Sequence, residues 1–461
     1  MSAEPNLTLH YNANLLNLIP VSATRVLDIG CGTGALGNRV KARNPAVVYY
    51  GVEIEPAAAR IAANHMDHVL CANIETDELP FDKAMFDCMV FGDVLEHLYW
   101  PVRALEKLKP HLQPGGHMLC CIPNAQNHQI LEALLCGDFQ YQAGGLLDRT
   151  HIRFFTYANA IKMLLDAALV PELLGFVPDP SGMAGDPAFA RFTPERREGI
   201  LQALAGCLTY LQQDPWRFNR YLSTFQFMFR ATPNAAHDQP LPPPFPISFV
   251  VPMHNSRVVG DYLLSSPIFQ GAHPHQLIVL ENQTSAAQAV ATGLAQAVHD
   301  HVVYVQQDVY LPSRWDAMYC QQVRQAEAGL GRVGLLGIAG ATLRDGQAVY
   351  SGGLVDRHMT RIHAGPLPAR VDTLEDCLFG FRKSDFPGMD PALGYHLHAT
   401  DLACTCRARG LEVVVVEALC YHNSERGPGE PPEFMASARH LAAKWRDSLP
   451  LATPRLLIPA S

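Results

Sequence analysis

Between Arg25 and about Asn124 the chain alternates short apolar runs with stretches whose apolar residues recur at helical spacing. Val26–Ile29, Val47–Ile54, His68–Ile74, Phe86–Val94 and His117–Ile122 read as strands. Ala35–Arg43, Pro56–Met66 and Pro101–Leu112 between them read as helices. Such alternation predicts a parallel sheet with helices on both faces, with Pro114-Gly115-Gly116 as the turn into the fifth strand. After Pro178 the pattern loosens. Thr193–Asp214 has helical spacing and Thr224–Arg230 alternates as a strand, so 179–222 reads as an insertion, or lid, before the last strand of the same domain. Thr232 to Pro246 holds Pro240, Pro242, Pro243, Pro244 and Pro246, a density that resists helix and central strand alike and reads as a stiff linker. A second alternating region follows, with strands expected at Ile247–Pro252, Gln276–Glu281, Val302–Gln306, Val333–Ala339 and Leu411–Val416, and a closing helix from about Glu433 to Trp445. The chain is thus expected to hold two α/β domains, 1–232 and 246–461, joined by a linker at 233–245.

Composition narrows the function. A length of 461 residues suits two large domains, each able to bury its own core. A net charge of −9 with 17% charged residues argues against broad nucleic-acid binding, which needs a basic face. No run of about 18 apolar residues is free of charge or proline, so no integral membrane segment is expected. Met1–Pro20 lacks the basic start and apolar run of a signal peptide. A cytoplasmic protein is expected, with at most peripheral contact at the inner membrane face. The 12 cysteines are scattered without Cys-x-x-Cys spacing, and Cys88, Cys120 and Cys420 sit in apolar runs where a thiol acts as a small hydrophobe.

The first candidate site opens at Val26-Leu27-Asp28-Ile29-Gly30-Cys31-Gly32-Thr33-Gly34, a strand entering a glycine-rich turn and then a helix. Glycines there admit positive φ and let amides approach a ligand closely. Glu53 closes the next strand, where a carboxylate accepts from both hydroxyls of a ribose. Gly32 to Gly37 also fits a dinucleotide fingerprint. Asp28 argues against that reading, because it would set a negative charge near a pyrophosphate, whereas it suits a ligand with a cationic amino group.

On these residues, 25–178 resembles the class I S-adenosylmethionine-dependent methyltransferases of the small-molecule type. Val26–Gly34 is similar to that family's first motif and Gly51-Val52-Glu53-Ile54 to its ribose-binding acid. Ala72-Asn73-Ile74-Glu75 resembles its adenine-holding turn, with Asn73 where many members have Asp, and Phe91–Leu98 its fourth-strand segment. Leu147–Phe155 matches a late segment seen in many members. The resemblance implies S-adenosylmethionine as cofactor, bound by Asp28, Gly30, Gly32, Gly34, Glu53, Asn73, Ile74 and Asp93. If 148–151 were helical, Asp148 and His151 would share a face near the substrate mouth, with His151 as base and Asp148 orienting it. O-methylation is the expected reaction, and Glu96 and His97 read as the packed start of a helix.

In the second region Ile247–Asn255, Leu277–Ser285 and Val303–Val309 each run from an apolar strand into polar residues. Ligands of open α/β sheets bind beyond such strand ends. The set resembles a family-two-like glycosyltransferase domain of the GT-A type over about 246–424. That likeness implies a nucleotide-sugar donor held by Pro252, Asn255, Glu281, Asn282, Asp308 and Asp376. It implies Mg²⁺ or Mn²⁺ at Asp308 and His422, although Gln307-Asp308-Val309 keeps a single acid of the usual pair. Asp401 is the implied catalytic base, acting on a saccharide or lipid-linked saccharide acceptor. The alternative is a second domain that binds a glycan or nucleotide sugar without turning it over.

Overall fold

The structure, a computed structural model, describes residues 11–135, 137–179, 220–238, 240–356, 365–424 and 430–459, with isolated positions between 193 and 206. The chain forms two compact units that divide between Asn234 and Ala235, inside the proline-rich stretch. The expected insertion at 179–222 and its helix fall almost wholly outside the described residues.

The first unit contains the strands β1 (Arg25–Ile29), β2 (Val48–Glu53), β3 (His68–Cys71), β4 (Phe86–Gly92), β5 (Leu112–Pro123), β6 (Leu169–Pro178) and β7 (Thr224–Pro233). Its helices include α1 (Ala13–Leu18), α2 (Ala35–Arg43), α3 (Pro56–Ala62) and α4 (Pro101–Leu108). They build one seven-stranded sheet in the order β3-β2-β1-β4-β5-β7-β6, with β7 antiparallel to both neighbours. Val26, Leu27 and Ile29 are fully buried because β1 is paired on both edges, by β2 and β4, and covered on both faces. From β1 the chain first winds outward through β2 and β3, then crosses back to β4. That reversal splits the connections on either side of β1 and opens a crevice at the carboxyl ends of β1 and β4.

Elements end where local chemistry stops them. α4 ends at Leu108 rather than Leu112 because Pro110 brings a short 3₁₀ turn. The third strand stops at Cys71, after which the Asn73 side-chain carbonyl accepts from Glu75 N–H at 2.9 Å and closes a turn.

In the second unit the strands are β8 (Ser248–Met253), β9 (Gln276–Glu281), β10 (His301–Val305), β11 (Val309–Tyr310), β12 (Val333–Gly337), β13 (Ala339–Arg344), β14 (Gln347–Gly352), β15 (Leu354–Asp356), β16 (Ala369–Arg370), β17 (Thr373–Leu374), β18 (Leu378–Arg382), β19 (Glu412–Val415), β20 (Cys420–His422), β21 (Leu451–Ala452) and β22 (Leu457–Ile458). The main sheet runs β16-β19-β12-β18-β10-β8-β9, mixed in direction, with β8 parallel to both β9 and β10. The expected strand Val333–Ala339 breaks at Ile338 into β12 and β13. A hairpin joins β13 to β14 through Asp345 and Gly346, both at positive φ. No helix among the described residues is long and apolar enough to cross a membrane.

Candidate functional site

The turn after β1 places Gly30, Gly32 and Gly34 at φ +65°, +53° and +81°, the left-handed region where a side chain is strained. At Gly34 space also forbids one, since a Cβ would lie 2.9 Å from the Cα of Ala62 in α3. The bare turn brings an amide to the end of β2. Gly32 N–H donates to Glu53 Oε2 at 2.8 Å, and Glu55 N–H donates to Oε1 at 2.9 Å. Two backbone donors therefore fix the buried Glu53 carboxylate in one orientation and leave each oxygen a further lone pair.

Glu53 lines a cavity of about 390 Å³ at the carboxyl ends of β1, β2 and β4, together with Gly30, Asn73, Ile74, Asp93, His97 and Tyr99. Asp93 sits at φ +58° just past β4. Burial pushes its carboxyl up to about 6, opposed by hydrogen bonds from Asn12 and Gln226 and by the charge of His97. Asp28 stands behind the glycine turn, 4% exposed, and accepts from Tyr49 Oη at 3.2 Å. Burial raises its carboxyl to about 7, against the hydrogen bond from Tyr49 and with Glu53 adding to the rise. Asp28 thus stands outside the lining of the cavity.

Residues 27–118 match the family model described as a methyltransferase domain. The N-terminal unit carries a class I S-adenosylmethionine-dependent methyltransferase domain. An uncharacterized methyltransferase of Mycobacterium bovis is 37% identical over 115 residues, 24% of this chain and 56% of that protein. A ubiquinone biosynthesis O-methyltransferase of Acinetobacter baylyi is 24% identical over 125 residues, 26% of this chain and 52% of that protein. The chain spans about half the length of these curated relatives. Among solved structures, an S-adenosylmethionine-dependent methyltransferase from Archaeoglobus fulgidus aligns with 48% of this chain and 91% of its own, at 16% identity and a TM-score of 0.33.

Within the methyltransferase domain the expected pairing of Asp148 with His151 does not form. Residues 148–151 are a turn, not a helix. Asp148 Oδ1 accepts from Thr150 N–H at 2.8 Å and from Thr150 Oγ1 at 2.6 Å, so it braces the turn. The His151 ring instead meets Glu96 and His97, which the pattern assigned to packing, with the two imidazole centroids 4.8 Å apart. Its Nδ1 lies 3.2 Å from the Leu146 carbonyl, and its Nε2 lies 3.8 Å from Glu96 Oε1. Leu95–His97 is a 3₁₀ turn rather than the start of a longer helix. It sets His97 Nδ1 3.1 Å from the Thr150 carbonyl and His97 Nε2 4.0 Å from Glu96 Oε1. The sequence signal for this cluster was Glu-His immediately after the fourth strand. Nothing in one sequence shows that a loop 54 residues further on returns to it.

In the second unit β8, β9 and β10 end at one edge of the sheet, where Pro252, Asn255, Glu281, Asn282 and Asp308 stand. The Asn255 side chain caps the following helix, accepting from Arg257 N–H and Val258 N–H. Gln307 Oε1 accepts from His254 N–H and Asn255 N–H at 2.8 and 2.9 Å, which ties the first strand end to the third. Asp308 Oδ2 lies 3.4 Å from His422 Nε2. Burial disfavours charge on His422, yet the adjacent Asp308 carboxylate holds its proton affinity above the ordinary histidine value. Asp376 lies beneath this edge, accepting from Leu397 N–H at 2.7 Å and Ala399 N–H at 2.9 Å. Asp401 corrects the expectation of a free base. It is 1% exposed, bonded by Lys444 Nζ at 2.8 Å and by Trp445 Nε1 at 2.7 Å. Its helix buries that face against the closing helix Pro432–Lys444, so the carboxylate is committed to holding the two together.

Proposed function

We propose that the N-terminal unit transfers the methyl group of S-adenosylmethionine to a hydroxyl oxygen. The observation that carries this is the Glu53 carboxylate, held by two amides at the rim of a cavity that also presents Asn73 and Ile74. A fixed acid beside a glycine turn suits a ribose, and the turn on the next strand suits an adenine edge. An oxygen acceptor is supported by matched relatives named as a ubiquinone biosynthesis O-methyltransferase and a malonyl-acyl carrier protein O-methyltransferase. The sulfonium is already activated, so in-line positioning and water exclusion supply much of the rate. A hydroxyl acceptor must also lose a proton. The Glu96–His97–His151 cluster is the group proposed to promote that loss, with His97 its member on the cavity wall.

For the C-terminal unit we propose a GT-A-like domain that takes a nucleotide sugar at the edge of β8, β9 and β10, with Mg²⁺ or Mn²⁺ at Asp308 and His422. The whole chain would then methylate and extend a saccharide, free or lipid-linked, in cytoplasmic glycan assembly. The committed Asp401 favours a second reading, in which this unit only holds the acceptor. Titrating the full chain with UDP and Mn²⁺, then assaying UDP-sugars for turnover, separates the two. Binding with turnover supports the transferase; binding without turnover supports the holding module; no binding of UDP or saccharide contradicts both. For the first unit, labelled S-adenosylmethionine should give a base-stable methyl ether. Label confined to amines would overturn oxygen transfer.

A further inference from the structure

We infer that Glu96, His97 and His151 form a binding site for a zinc-like divalent cation, which presents the acceptor hydroxyl to the methyl group. The inference rests on the methyltransferase reading and names how that site activates its acceptor. One ligand atom from each of the three residues lies within 4.8 Å of the others. Three ligands at bonds of about 2.0–2.2 Å would stand roughly 3.4 Å apart in a tetrahedral site. With His151 Nε2 at 3.8 Å and His97 Nε2 at 4.0 Å from Glu96 Oε1, and no two ligand atoms more than 4.8 Å apart, the set needs to close by roughly 0.4–1.4 Å.

Three further features point to a cation. Glu96 is 1% exposed, and neither carboxylate oxygen has a hydrogen-bond donor on another residue. A buried carboxylate left so is costly unless a cation meets it. Both imidazoles turn Nδ1 to a backbone carbonyl, of Thr150 and of Leu146, so each Nδ1 carries the proton and each Nε2 lone pair faces Glu96. Metal-binding histidines are commonly oriented this way, the second nitrogen donating to a carbonyl. The loop that brings His151 is pinned to the Glu96 turn, since Ile152 N–H and Arg153 N–H both donate to the Glu96 carbonyl, at 3.0 and 2.9 Å. Two imidazoles and one carboxylate suit zinc or a similar borderline ion better than magnesium, which prefers all-oxygen shells.

Three protein ligands leave coordination positions for an acceptor oxygen. The bound hydroxyl ionises more readily and its proton passes to solvent. The oxygen then forms a bond to the methyl carbon as the carbon–sulfur bond breaks. That bond's electron pair stays on sulfur, giving S-adenosylhomocysteine and the methyl ether.

The test uses untagged full-length protein stripped with chelator and titrated with Co²⁺, read by its visible d–d absorption, and with Zn²⁺ by calorimetry. One equivalent should bind, and Glu96→Gln and His151→Asn should each weaken it at least tenfold. His97→Asn, at a half-buried position, provides the same readout if either of those fails to fold. Absence of the cobalt band, or equal affinity in folded variants, overturns the site. S-adenosylhomocysteine is titrated separately. Its binding without metal binding removes this inference alone, and metal binding without it removes the methyltransferase reading.

Discussion

Replacing Glu53 by Gln probes the cofactor site with almost no change in shape. In the structure both carboxylate oxygens accept from backbone amides, those of Gly32 and Glu55. A carboxamide offers one acceptor oxygen and one NH₂ group, so one of the two amides must face another donor. An unsatisfied buried donor costs about 1–3 kcal/mol. For a unit of this size each kcal/mol lowers Tm by about 2–4 °C, so a fall of roughly 2–12 °C is expected. The same change removes a charged acceptor from the ribose hydroxyls. A hydrogen bond to a charged group contributes about 1.5–3 kcal/mol, or roughly 10- to 150-fold in affinity. Differential scanning calorimetry and titration with S-adenosylhomocysteine measure the two effects on one preparation. A Glu53→Gln protein with unchanged Tm and unchanged affinity would refute the reasoning at both steps.

Gly34→Ala forces a side chain onto φ +81° and into the Ala62 backbone; a loss of about 2–4 kcal/mol is expected in denaturant unfolding, and a neutral result would contradict the close approach of α3. Asp28 gives a pH dependence of defined sign. Its folded value of about 7 lies above the usual 3.8, so the native state binds the extra proton and stability falls as pH rises from about 4 through 7. At 1.36 kcal/mol per unit the fall is about 4 kcal/mol, and Asp28→Asn should flatten the Tm-versus-pH curve across that window. Lys444→Met strands the buried Asp401, leaving Trp445 as its side-chain partner among the described residues. Because Lys444 is partly exposed, about 2 kcal/mol of destabilisation is expected in urea unfolding, whereas a carboxylate free to act as a base would tolerate the change.

The first unit was legible in the sequence wherever burial is two-sided. β1 and α2 fall where the apolar pattern placed them, because strands paired on both edges leave little choice of register. The residues expected at a cofactor rest on equally local signals, a glycine turn and an acid at the next strand end, and the fold brings five of them, Gly30, Glu53, Asn73, Ile74 and Asp93, to one cavity. The acceptor side was not. Asp148 is consumed by its own turn, and His151 meets Glu96 through loop backbone bonds that leave no periodic trace. In the second unit the strand ends were found, but Asp401 looked like a free acid because its partners Lys444 and Trp445 lie 43 and 44 residues away on another helix. The hairpin of β13 and β14 was missed although Asp345-Gly346 is a strong turn signal.

The central claim is that the cavity beside Glu53 binds the methyl donor. Calorimetric titration of the full chain with S-adenosylhomocysteine tests it most directly, run on wild type and Glu53→Ala. The account predicts saturable one-to-one binding that the substitution weakens at least tenfold. No binding to wild type, or equal binding to both proteins, would contradict it.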